Sequence, residues 1–127
     1  MSAARTLPEA AKEVLDQRAV GRAVRDLTVL AINALKTLDP PLSALVDRRI
    51  IGVEIDDQDR LVIHLDDLDL TVNLERTGRL AWTDSCAPWT PRDGARPTAR
   101  LLLDDGSGID FKEPAKTKRI AFTITRR

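Results

Sequence analysis

Between Ile50 and Leu74, apolar and polar residues alternate with a period of two in short runs, and this alternation limits the fold more than any other feature of the chain. Leu61, Ile63 and Leu65 alternate with Val62 and His64, and Leu68, Leu70, Val72 and Leu74 alternate with Asp69, Thr71 and Asn73. The run Ile50–Ile55 precedes them, acidic turns separate the three, and a fourth run begins after Thr77-Gly78. Successive side chains of a strand point to opposite faces. The spacing therefore predicts a meander of antiparallel strands with one face buried and the other wet.

The flanking segments add helices and more strands. In Thr6-Leu-Pro-Glu9 the Thr6 hydroxyl can cap a free amide, Glu9 takes the capping-box position, and Pro8 lies in the first turn, where no amide partner is lost. Leu7, Ala11, Val14 and Leu15 share a face and Gly21 offers a stop, which predicts a helix over 7–19. Ala23–Ala31 reads as a strand on Val24, Leu27 and Val29, Ile32–Leu38 as strand or helix, and Asp39-Pro-Pro41 as a break. Leu42–Arg48 reads as a second short helix with Leu42, Leu45 and Val46 on its apolar face. Later strands are expected at Arg79–Thr83, Thr98–Leu103, Ile109–Lys112 and Arg119–Thr125, with Asp104–Gly108 as a hairpin turn between the second and third of these. Residues 84–97 hold three prolines and a glycine and read as a long loop. In it Trp89 is expected to plug the core, an exposed contact being the alternative. The fold class expected is mainly β (α+β): a two-layer antiparallel β-sandwich of about eight strands with two flanking helices.

At 127 residues the chain suits one domain spanning 1–127, with 1–5 as a flexible extension. It has no apolar run of spanning length and no basic-then-apolar leader, so a soluble cytoplasmic protein is expected, with no membrane partner. A single cysteine, Cys86, excludes an internal disulfide and a cysteine-based zinc site. Net charge is zero, which argues against strong non-specific nucleic-acid binding. The charge is uneven, however: residues 1–74 carry 9 Lys+Arg against 13 Asp+Glu, and residues 75–127 carry 11 against 7. His64 reads as a strand residue on the polar side, not a ligand or base. Asp56, Asp57, Asp59, Asp66, Asp67 and Asp69 lack calcium-loop spacing and read as turn residues. Neither a metal nor a cofactor is expected. Lys112, Lys116, Lys118, Arg119, Arg126 and Arg127 form the best binding candidate, through phosphate contacts of weak, salt-sensitive affinity.

Several landmarks also stand in order: Leu7-Pro-Glu9, Val20-Gly-Arg22, Asp47-Arg-Arg-Ile50, Leu65-Asp-Asp67, Asn73-Leu-Glu-Arg-Thr-Gly-Arg-Leu80, Leu103-Asp-Asp-Gly106 and Phe111-Lys-Glu-Pro114. The chain in this respect resembles the N-terminal domain of the formamidopyrimidine-DNA glycosylase and endonuclease VIII family, over about Leu7 to Ile124. The resemblance implies a two-layer β-sandwich with flanking helices. It also implies a bacterial DNA-repair setting and an edge facing DNA that here carries Asn73, Arg76, Arg79, Lys112, Lys116, Lys118 and Arg119.

The family's chemistry is not matched. Its enzymes flip a damaged base out of the duplex and attack the sugar with an N-terminal proline followed by glutamate. Arg5 and Thr6 stand directly before Leu7 here, and Met1-Ser-Ala-Ala4 precedes them. The family's lysine falls at or near Asp59, and its wedge segment reads Asn73-Leu-Glu-Arg76. Its aspartate-proline-arginine-arginine-phenylalanine loop reads Glu113-Pro-Ala-Lys-Thr117. The family's helix–two-turn–helix and zinc-finger domain is not expected in this chain. These departures imply a non-catalytic, glycosylase-like module binding DNA or RNA, or a protein or second copy packed where the second domain would lie. A residual lyase using the amine of Ser2 or a lysine, and an RNA- or ribosome-associated domain, are the alternatives.

Overall fold

The computed structural model describes residues 7–30, 42–58, 60–74, 78–87, 90, 97–112 and 120–126. Among the described residues one helix, α1 (Leu7–Arg18), precedes eight strands: β1 (Val24–Val29), β2 (Ile50–Ile55), β3 (Leu61–Leu65), β4 (Leu68–Asn73), β5 (Arg79–Thr83), β6 (Ala99–Leu103), β7 (Gly108–Lys112) and β8 (Ala121–Arg126). The strands form two antiparallel four-stranded sheets, ordered β1-β6-β7-β5 and β2-β3-β4-β8.

The meander expected from the alternation is β2-β3-β4, and its boundaries match the apolar runs to within a residue. The run after Gly78 does not extend it. Strand β5 crosses to the other sheet, and β8 pairs with β4 instead. Alternation fixes which side chains face inward but not which strand is the neighbour.

Inward-facing residues of both sheets meet in one core. Phe111 of β7 and Phe122 of β8 are fully buried and meet edge to face across it, with ring centroids 5.1 Å apart and planes at 82°. Each such side chain contributes about 1.5–3 kcal/mol by leaving water. Helix α1 buries Ala11 and Leu15, the turn after it buries Ala19, each four apart, and the helix packs against β2, β3 and β5. Gly21, at φ 93, ends the helix, and its amide donates to the Ile50 carbonyl at 2.8 Å. The chain from Gly21 to Val24 is thereby tied to the entry of β2.

The second helix expected from the sequence is a 3-10 turn, Leu42–Leu45. Asp47, at φ 69, lies outside helical backbone space and stops it, and Val46 is exposed instead of lining an apolar face. Ile32–Leu38 and Trp89 lie outside the described residues.

The acidic turns have internal uses. Asp66, the first residue of the two-residue β3–β4 turn, accepts the Arg49 amide at 3.0 Å, and Asp67 pairs with Arg48 at 3.1 Å. Asp56 accepts the amides of Gln58 and Arg60 at 2.9 and 2.8 Å and the Arg60 guanidinium at 2.8 Å. Burial works to raise the Asp56 pKa, but these bonds outweigh it and lower it below 3.8. Asp105 is lowered too, first by the Ser107 hydroxyl and then, against burial, by the Ser107 amide and Arg22.

Carboxylates lowered on folding contribute stability above their unfolded pKa and lose it as pH falls through the folded one. The chain is therefore expected to keep the contribution of Asp56 and Asp105 above about pH 4, near their unfolded value of 3.8, and to lose it as pH falls below that value. In urea titrations across that range, an Asp56→Asn/Asp105→Asn double variant should show a shallower acid loss. An identical loss in the variant would locate acid sensitivity elsewhere.

Candidate nucleic-acid interface

Register determines where the expected binding residues lie. Asn73 of β4 pairs with Ala121 of β8, and Arg79 of β5 pairs with Lys112 of β7. The connections β4–β5 and β7–β8 therefore leave from, and return to, one end of the two sheets. The first half of α1 reaches the same end, where Ala10, Ala11 and Val14 line a shallow cleft of about 200 Å³ with Arg79 and Leu80.

Gly78 sits tightly between Leu74, after β4, and Ile120, before β8. Its amide donates to the Leu74 carbonyl at 2.8 Å, and a Cβ there would strike that carbonyl and come within 2.9 Å of Ile120 Cγ1. Only glycine allows the chain to pass between them, and Arg79 follows directly.

Of the seven residues expected at this edge, Asn73, Arg79 and Lys112 are described; Arg76, Lys116, Lys118 and Arg119 lie outside the described residues. Arg79 and Lys112 are exposed and stand opposite each other on the outer face of their sheet, because Leu80 and Phe111 turn inward. Asn73 alternates with the buried Val72 and Leu74 and so stands half-buried on the outer face of the other sheet. The structure brings Arg79 and Lys112 together but leaves Asn73 across the sandwich from them.

The charge around the pair is unusual. Most described cations have an acceptor: Lys12 pairs with Asp16, Arg18 with Asp84, Arg22 with Asp105, Arg48 with Asp67, and Arg60 with Asp56. Arg79 and Lys112 make no ion pair among the described residues. Arg25 is also unpaired but stands alone on β1. Among the described residues the nearest carboxylate in register, Asp110, faces Ala81 on the same outer surface. Both of its oxygens are taken by Arg100, Nε at 2.7 Å and Nη2 at 2.9 Å, and Arg100 Nη1 also reaches the Ala87 carbonyl at 2.8 Å. This buried pair was missed in the sequence, although the hairpin at 104–108, once counted out, places Arg100 opposite Asp110.

The other candidate groups are structural. His64 Nδ1 donates to Asp69 at 2.7 Å, while its Nε2 is buried, 3.3 Å from Glu54 without hydrogen-bond geometry. An imidazole with no accessible nitrogen cannot shuttle protons to a substrate. Burial pushes the Cys86 thiol up, which keeps it from acting as a thiolate nucleophile. Among the described residues no cluster of three or more His, Cys, Asp or Glu could hold a metal ion, and no helix is long and apolar enough to cross a membrane.

No protein-family model matches the sequence, and no curated protein is significantly similar to it. Solved structures are similar. The LlFpg protein bound to THF-DNA and an inhibitor superposes with a TM-score of 0.77 at 16% identity, covering 96% of this chain and 44% of that one. Wild-type Lactococcus lactis Fpg (MutM) with DNA containing N7-benzyl-Fapy-dG gives 0.76 at 17% identity, covering 94% and 42%. Lactococcus lactis Fpg with abasic-site DNA gives 0.75 at 17% identity, covering 94% and 43%. The chain thus spans less than half the length of these proteins. It has the fold of the N-terminal domain of Fpg (MutM), as the ordered motifs of its sequence implied.

Proposed function

We propose that this chain is a DNA-binding, DNA-repair-related module built on the glycosylase N-terminal-domain fold and without base-excision chemistry of its own. One observation carries the reading: Arg79 and Lys112 face each other on an exposed sheet surface and, among the described residues, neither has a carboxylate to neutralise it. Like charges directly opposed across a sheet destabilise it. Such a pair is retained to advantage where an anion arrives from outside, and phosphates are the anions nucleic acids present. Solved structures similar to the chain in fold hold DNA, which supports DNA as the polymer. The absence of chemistry is read from the residues before Leu7, where Arg5 and Thr6 replace the family's proline and glutamate, and from Asp59 near its lysine.

The test is fluorescence anisotropy at low salt against duplex DNA, abasic duplex, single-stranded DNA and RNA of equal length, with borohydride trapping on the abasic duplex. Micromolar binding to DNA without a trapped adduct is expected. A trapped adduct would show a working lyase amine, and no binding to any of the four polymers would remove the binding function.

A further inference from the structure

We infer that Arg79 and Lys112 act as a clamp for a single phosphate group, held between the two side chains on the outer face of the β5–β7 pair. This deepens the reading of the same edge as a DNA interface and rests on it only for the source of the phosphate. Residues directly opposite in an antiparallel pair have Cβ atoms about 5 Å apart, so both cationic heads can converge on one anion. A phosphate offers several acceptor oxygens and can take the guanidinium through two parallel N–H bonds while the ammonium approaches from the side.

Two features of the fold hold the clamp open. Gly78 pins the backbone before Arg79 against Leu74 and Ile120. Arg100 engages both oxygens of Asp110, so the carboxylate next along that face is not available to close an internal ion pair with the clamp. Arg100 therefore acts at a distance as a positioning residue, by keeping the negative charge nearest in register among the described residues occupied. The ligand class is a phosphomonoester or phosphodiester, bound through charge and oxygen geometry with no reading of bases.

Lys112→Glu gives the test its sign. The substitution converts opposed like charges into a cross-strand ion pair, which should raise Tm by about 1–4 °C in phosphate-free buffer while removing the anion site. Thermal melts are run at constant ionic strength with chloride or inorganic phosphate as the anion, on wild type, Arg79→Gln, Lys112→Gln and Lys112→Glu, and the same proteins are titrated with an oligonucleotide. At phosphate about tenfold above its dissociation constant, wild type should gain on the order of 5 °C over chloride, and each variant should lose most of that gain. An equal gain in wild type and all three variants would overturn the clamp. Oligonucleotide binding unchanged by the substitutions would leave DNA recognition standing on other residues and reject the clamp. Phosphate stabilisation confined to wild type, without oligonucleotide binding, would keep the clamp and reject the polymer as its ligand.

Discussion

Phe122→Ala is expected to cost about 3–5 kcal/mol of folding stability, among the largest losses any single substitution in this chain can cause. Phe122 is fully buried on β8 and meets Phe111 of β7 edge to face, so it joins the inner surfaces of both sheets. Truncation removes its transfer energy, leaves a cavity that two pinned sheets cannot close, and forfeits an aromatic contact worth about 0.5–1.5 kcal/mol more. A domain of ordinary stability has only about 5–15 kcal/mol in total. Urea denaturation should show the midpoint falling steeply, with Phe122→Leu recovering much of the loss because it refills most of the volume. A loss under about 1 kcal/mol for the alanine variant would mean that the two sheets are not joined through this pair.

Arg100→Met should be nearly as damaging, for a different reason. Arg100 and Asp110 have only 16% and 10% of their side-chain surface exposed, and the fork-to-fork geometry satisfies both carboxylate oxygens. Removing the cation strands a charge in a poorly hydrated site, at about 3–5 kcal/mol. It also frees the Ala87 carbonyl that tethers the loop after β5. The diagnostic comparison is the double variant Arg100→Met/Asp110→Leu. With neither charge present nothing is stranded, so it should be clearly more stable than Arg100→Met alone. If the double variant is the less stable of the two, the pair is contributing attraction beyond the desolvation it compensates.

Much of this architecture was legible in the residues themselves. Strands β3, β4 and β5 show plain alternation or clean turn boundaries, and their limits follow from the sequence to within a residue. Strand β1 was harder, because a bulge between Val24 and Asp26 breaks the period of two and spaces its buried residues by three. The segment after Pro41 has helical apolar spacing, but one positive-φ aspartate ends it within a turn. Strand partnership was not legible, since it depends on crossovers that face patterning does not record. For that reason the sequence could nominate Arg79 and Lys112 but not their opposition, and it grouped with them an Asn73 that stands on the other sheet. The occupied state of Asp110 follows only from register, which the hairpin at 104–108 sets once its turn residues are counted out.

The same register leads to the decisive measurement. DNA affinity is measured from about 50 to 200 mM salt for wild type and for the Arg79→Gln/Lys112→Gln double variant, and log affinity is plotted against log salt. Each phosphate neutralised contributes about 0.9 to the slope on duplex DNA, so a clamp on one phosphate should make the variant's slope shallower by about 1 and weaken binding at low salt. Parallel lines for the two proteins would contradict phosphate contact at this pair, whatever their absolute affinities.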